Sequence, residues 1–163
     1  MHRILLCVSL CFLTTGLCAC QAEPEPPVIK AATDSDVTIE RNGVTYEGHL
    51  TYVNEETAAL TLTAPETLRG MSFQRGDGQF TMALDTLQCK SEQALLPDDS
   101  VALRVFSFFD ALQQPTLRCT GQNSDTLFRF TGDGAMTVTT SEVGEIVSVE
   151  CGEWRIVMKN GSL

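Results

Sequence analysis

Histidine and cysteine, the side chains most used for nucleophilic and metal chemistry, are few after residue 20: one histidine and three cysteines, beside dispersed carboxylates. His49 lies mid-strand in "VTYEGHLTYV", on the face opposite Tyr46 and Leu50, where a solvated histidine is expected. A serine–histidine–acid triad would have to run through it, and the chain has no Gly-x-Ser-x-Gly turn to present the serine. Cys89, Cys119 and Cys151 stand 30 and 32 residues apart. Zinc ribbons and thioredoxin-like sites need Cys-x-x-Cys pairs, and none of the three belongs to one. Together with His49 they would make a Cys3His set without ligand spacing. Three thiols leave two options: one disulfide with one thiol free (Cys119 with Cys151, or Cys89 with Cys119), or all reduced. Asp77, Asp85, Asp98, Asp99, Asp125 and Asp133 form no calcium loop, and no glycine-rich phosphate cradle is present. The chain reads as a non-enzyme without metal or cofactor.

The N-terminus carries a different chemistry. His2 and Arg3 precede an apolar run from Ile4 to Leu13, followed by Thr14, Thr15 and Gly16. That is the order of a secretory signal. The run is about half the roughly 20 residues that a membrane-spanning helix needs. Leu17-Cys18-Ala19-Cys20 follows and resembles the bacterial lipobox, with Cys18 standing where Ala, Ser or Thr is usual. The resemblance implies cleavage after residue 19 and a diacylglyceryl group on Cys20. It places the mature protein on the outer face of the cytoplasmic membrane, where two acyl chains give stable anchoring.

Residues 20–34, "CQAEPEPPVIKAATD", read as a flexible acidic tether, because the Glu-Pro-Glu-Pro-Pro run favours extended polyproline conformations. The whole chain has a formal net charge of −10, and loss of Arg3 with the signal leaves 10 Lys+Arg against 21 Asp+Glu, or −11. Nucleic-acid binding runs on clustered Lys and Arg, and the sequence has no such cluster. Residues 35–163 are then one domain, about 130 residues and large enough for a core.

Most of that domain has period two. "DVTIER", "VTYEGHLTYV" and "ETAALTLTAP" alternate as half-buried antiparallel strands, with Asn42-Gly43 as a two-residue hairpin turn between the first two. "MSFQRGDGQFTMALDTLQCK" reads as a hairpin about Gly76-Asp77-Gly78. Arg75-Gly76-Asp77 spells the integrin tripeptide, but Gly-Asp-Gly is turn chemistry in its own right. The period changes at "LLPDDSVALRVFSFFDALQQP". Asp98, Asp99 and Ser100 suit a helix start, Val101, Val105, Phe108 and Leu112 recur at helical spacing, and Pro115 ends the run. Strands resume in "DTLFRFTG", "AMTVTTS", "GEIVSVECG" and "EWRIVMKNG". The order predicts an α+β fold, mainly antiparallel β: a curved half-barrel of about nine strands with one helix on its concave face.

The lipobox cysteine, the strands around "VTYEGHLTYV" and "TAALTLTAPETLRGMSF", the "LPDDSVALRVFSFFDAL" helix and the closing "GEIVSVECGEWRIVMKNG" resemble the LolA-like and LppX-like bacterial lipoproteins, in particular short Gram-positive members. That resemblance implies a half-open barrel with a helical lid over an apolar cavity for acyl chains, with neither catalysis nor a cofactor. The residues that would line the cavity are Tyr46, Leu50, Leu60, Leu62, Phe80, Met82 and Leu84 on the sheet, with Phe106, Phe108, Phe109 and Leu112 on the helix. Displacement of the helix would admit the ligand. The same pattern fits a solid core in a non-catalytic cell-surface interaction module, whose protein partner the sequence does not name.

Overall fold

The computed structural model describes residues 25–92, 97–114, 117–124, 127–132 and 135–159; the expected signal segment and Cys20 lie outside these residues. Eleven strands and one α-helix follow in the order β1 (Thr33–Arg41), β2 (Val44–Asn54), β3 (Thr57–Ala64), β4 (Ser72–Gly76), β5 (Gln79–Leu84), β6 (Leu87–Ser91), α1 (Val101–Leu112), β7 (Arg118–Ser124), β8 (Leu127–Thr131), β9 (Thr137–Ser141), β10 (Ile146–Cys151) and β11 (Trp154–Lys159). All strands join one antiparallel sheet in the order β6-β5-β4-β3-β2-β1-β11-β10-β9-β8-β7. The result is an open, curved α+β half-barrel. Each half is a simple meander, and the first and last strands meet in the middle. The connection carrying α1 runs from one sheet edge to the other.

The turns follow their residue types. Asn42 and Gly43 both have positive φ, 49° and 79°, the conformation a tight hairpin needs between β1 and β2. Along β1 and β2 the register sets Val37 opposite Gly48 and Ile39 opposite Tyr46. The inner face therefore collects Val37, Ile39, Leu50, Tyr52, Leu60 and Leu62, each at most 1% exposed. The outer face carries Thr45, Thr61 and Thr63 in water.

The count of about nine strands becomes eleven. The added strands, β6 and β7, are the two edges of the sheet. Every β6 residue from Leu87 to Lys90 is exposed, and β7 begins with exposed Arg118, Cys119 and Thr120. They are held by backbone hydrogen bonds to a single neighbour, so they leave no alternating apolar signal in the sequence. β10 departs from strict alternation for another reason. A bulge between Ile146 and Ser148 resets its phase, so Ile146 and Val149 both face the core.

The helix is 12 residues long and starts after Ser100, whose extended backbone occupies the cap position. Ala102, Leu103, Val105, Phe106, Phe108, Phe109 and Leu112 are all buried. Arg41 ties its first turn to the sheet. The guanidinium donates to the Asp99 carbonyl at 3.1 Å and to Glu153 Oε1 at 2.7 Å, and lies 4.7 Å from the centre of the Trp154 ring.

The segment read as a tether is shorter than expected. β1 begins at Thr33 rather than near Ser35, and Lys30 forms a parallel bridge with Glu145. Its amide donates to the Gly144 carbonyl at 2.9 Å, and Ile29 and Ala31 pack on the core. Gly144 permits this approach: a Cβ there would lie 2.0 Å from the Val28 carbonyl oxygen.

Candidate functional site: an apolar cleft beside a packed helix

The helix–sheet centre is full. Phe109 lies 5.2 Å, centre to centre, from Tyr52 on β2; Phe106 lies 6.2 Å from Phe80 on β5; Phe108 lies 6.4 Å from Trp154 on β11. Three helix rings thus reach three separated strands. Of the residues expected to line a cavity, Leu50, Leu60, Leu62, Phe80, Phe106, Phe108, Phe109 and Leu112 are buried in the core cluster. Tyr46 and Met82 pack half-buried against it, and Leu84 is half-buried near the end of β5. Leu84 pairs with Leu87, close to the β6 edge.

A polar clamp fixes the C-terminal part of the helix over the sheet. Arg75 on β4 donates to both oxygens of Asp110, at 2.8 and 2.7 Å. The Tyr52 hydroxyl donates to Asp110 Oδ1 at 2.8 Å and accepts from Gln113 Nε2 at 3.2 Å. Arg75 also sits 5.3 Å from the centre of the Phe106 ring. Burial works against the Arg75 charge, but the Asp110 carboxylate more than offsets it and holds the guanidinium above its ordinary range. Burial, and then the hydrogen bond to Asp110 and the charge of that carboxylate, push the Tyr52 hydroxyl far above a normal phenol. This clamp was not read from the sequence. The only hint was an arginine on the inward phase of β4, in register with Phe80. Arg75 is 9% exposed, so the integrin-like triplet has its arginine inside the protein.

An open apolar space lies next to the clamp. A cleft of about 540 Å³ is bounded by Pro27, Val28, Ile29, Ala31 and Ala32 of the N-terminal segment, by Val53 of β2, by Leu112, Gln113 and Gln114 at the end of α1, and by Leu117 and Phe130 beside β7 and β8. Nine of its eleven lining residues are apolar, with Gln113 and Gln114 on the rim, and nearly half of the lining surface exposed in it is polar. Ligand sites commonly measure about 300–1,000 Å³; this cleft falls in that range, as do the protein's two polar spaces, and it is open to solvent on one side. Leu112 alone among the expected cavity residues lines it. The rest is hidden in the sequence because residues 25–32 share the tether's composition, which gives their half of the cleft no place. The mixed phase of Pro27-Val28-Ile29 was the available signal.

Two other spaces are polar. One of about 370 Å³ lies against the outer face, among Thr51, Gln74, Thr81, Gln88 and Lys90; one of about 460 Å³ lies at the β2–β3 and β4–β5 turns, among Glu55, Glu56, Arg75 and Asp77.

His49 is exposed on the outer face, as expected, and held from both sides. Nδ1 lies 2.9 Å from Asp36 Oδ1, and Nε2 lies 2.8 Å from Asp34 Oδ1. Hydrogen bonds that the imidazolium donates to Asp36 and then Asp34 raise its pKa above 6.5, and the same contact, with one donated by Thr51, lowers that of Asp34. With both nitrogens engaged by carboxylates, the imidazolium is stabilised and a free lone pair for base catalysis is not offered. Cys89 and Cys119 are exposed free thiols on β6 and β7, the opposite edge strands, and Cys151 is half-buried at the end of β10. Among the described residues, no group of three or more His, Cys, Asp or Glu is placed to hold a metal ion, and no helix is long and apolar enough to cross a membrane.

No protein-family model and no curated protein matches the chain. Among solved structures the chain is similar to a LolA superfamily protein from Nitrosomonas europaea, at 11% sequence identity and a TM-score of 0.37. The match covers 76% of this chain and 66%, just under two thirds, of that one.

Proposed function

We propose that this protein is a lipid-anchored, non-catalytic binding protein that takes an acyl chain or another elongated apolar ligand into the cleft between Val28, Val53, Leu112 and Leu117. Cys20 supplies the anchor and holds the domain on the outer face of the cytoplasmic membrane. The observation that carries the binding reading is the cleft itself, about 540 Å³, lined mostly by apolar residues and open to solvent beside the end of α1. Transfer would be passive, each CH₂ shielded from water contributing about 0.8 kcal/mol.

The location of the cleft changes the expected route. Lifting α1 would expose six large apolar side chains, from Leu103 to Leu112. At roughly 1.5–3 kcal/mol each that costs about 9–18 kcal/mol, as much as a whole domain's stability of about 5–15 kcal/mol. Binding beside the fixed helix needs no such opening.

Mass spectrometry of organic extracts from the purified protein tests the proposal. An acyl lipid should co-purify, and a fluorescent long-chain fatty acid should be displaced by it. Val53 is 52% exposed, so Val53→Asp should fold normally and lose most of that binding. Fatty-acid binding unchanged by Val53→Asp would place the ligand elsewhere, and no binding by the parent chain would end the proposal. The filled helix–sheet centre favours one second reading, a surface interaction module. It would give a persistent protein partner on crosslinking and no lipid.

A further inference from the structure

The sheet is open, so its outermost strands, β6 and β7, each have one side without a strand partner among the described residues. Such an edge templates pairing with another chain unless something blunts it. β7 is blunted: its pairing with β8 shifts register between Cys119 and Gly121 and again between Gln122 and Ser124. β6 is regular, and Leu87 to Ser91 face Leu84 to Phe80 one for one without a shift. Leu87 through Lys90 are all exposed, Leu87 at 73%.

The register fixes which groups the β6 edge presents. Asp85 and Thr86 make a two-residue turn, so the closing pair Leu84–Leu87 is hydrogen-bonded. Alternation makes Met82–Cys89 hydrogen-bonded as well, and aims the amides and carbonyls of Gln88 and Lys90 outward. Cys89 is the middle residue of the five. A second β6 laid antiparallel about a dyad at Cys89 therefore sets Gln88 of each copy opposite Lys90 of the other, each pair exchanging both hydrogen bonds. Leu87 then meets Ser91, and no carboxylate lies within the paired strands. The two Cys89 residues face each other as a non-hydrogen-bonded pair. In such pairs the Cα atoms lie about 4.5 Å apart, within the roughly 4.4–6.8 Å that a disulfide spans. Other registers match less well. A shift of two residues one way opposes Lys90 to Lys90, and the other way sets Lys90 against Thr86 of the turn.

We propose that two copies of this protein join edge to edge through β6 into one continuous antiparallel sheet, locked by a Cys89–Cys89 disulfide. The strand is complementary to itself, which selects a second copy as the occupant. The bond is required. A five-residue strand buries far less than the roughly 1,200 Å² that stable association needs, and two chains of net charge −10 repel. The pair therefore falls apart when reduced. The oxidant is a small-molecule disulfide. One Cys89 thiolate attacks it and releases one thiol, and the second copy's Cys89 thiolate then displaces the other. Two protein thiols and one disulfide give one protein disulfide and two small thiols. This association is independent of the cleft and of any ligand in it.

The test oxidises the full chain with glutathione disulfide and reads non-reducing electrophoresis and tryptic peptide maps. The parent should give a dimer in which peptide 76–90, bounded by Arg75 and Lys90, is linked to a second copy of itself. Cys89→Ser should abolish that dimer, while Cys119→Ser and Cys151→Ser should retain it. Amide hydrogen exchange then reads the strand pairing itself. Gln88 and Lys90 should exchange roughly tenfold or more slowly in the oxidised dimer than after reduction. A chain that stays monomeric under oxidation, a dimer undiminished by Cys89→Ser, or Cys89 linked chiefly to another cysteine overturns the proposal. A Cys89–Cys89 dimer with unslowed exchange at both amides overturns it too, because exposed thiols that merely collide form a bridge without joining the sheets.

Discussion

The centre of the helix–sheet interface is built mainly from aromatic rings and leucines, the cleft at the helix end mainly from smaller aliphatic residues, and they differ in what fills them. In the centre, Phe106, Phe108 and Phe109 bring enough volume to reach β5, β11 and β2, so the concavity is occupied by the chain itself. At the end, α1 stops at Leu112, the next side chains are exposed Gln113 and Gln114, and among the described residues Phe130 is the one aromatic ring lining the space that Val53 borders. An apolar sheet face is a core or a binding surface according to whether the covering helix continues over it.

The sharpest way to break that comparison is to hollow the centre. Phe109→Ala should cost about 3–5 kcal/mol in urea unfolding, as large aromatic truncations in packed cores do. A loss under about 1 kcal/mol, with fatty-acid binding increased, would show that the centre is loosely filled and is the true pocket. Next comes the clamp between the two regions. Arg75→Ala leaves Asp110 partly buried beside Tyr52 without its cation, and should cost about 3 kcal/mol. The double replacement Arg75→Met with Asp110→Leu should recover most of that, measured by the same unfolding curves. If it does not recover, the pair contributes more than its own desolvation, and the helix end depends on it for position.

Val53→Asp probes the cleft side. Its effect on stability should stay within about 0.5 kcal/mol, because the side chain is half in water, while ligand retention falls. The smallest effect belongs to His49. Its pKa is raised in the folded protein, so its contribution is fully present below its ordinary value of 6.5 and is lost as pH rises through the raised value. Asp34 has the opposite sign: its pKa is lowered, and its contribution disappears as pH falls through that lowered value. Thermal midpoints of His49→Gln against the parent should therefore converge above the histidine's titration and separate below it. A difference that persists at high pH would assign His49 a packing role instead.

Much of the centre was legible from spacing. The Asn42-Gly43 turn, the inward phase of Leu50, Leu60 and Leu62, and the phenylalanine helix all follow from local rules. The edge strands were not, because β6 and β7 are fixed by a neighbour's backbone and bury little. The bulge in β10 changes a face without changing residue types. The Arg75–Asp110 pair joins positions 35 apart in sequence, and nothing local marks them as partners. Residues 25–32 were hidden by composition: prolines and glutamates describe the start of the segment, while its second half docks through Ile29 and Ala31.

The pairing of β1 with β11 has a consequence for biogenesis. A chain emerging N-terminus first can zip β1 to β6 in order, but β1 then waits with one bare hydrogen-bonding edge until the final strand arrives. Closure joins positions more than a hundred residues apart, a slow kind of contact. A protein completed by its last strand is vulnerable to C-terminal clipping and, until release, to chaperones or neighbours that offer β1 a substitute partner.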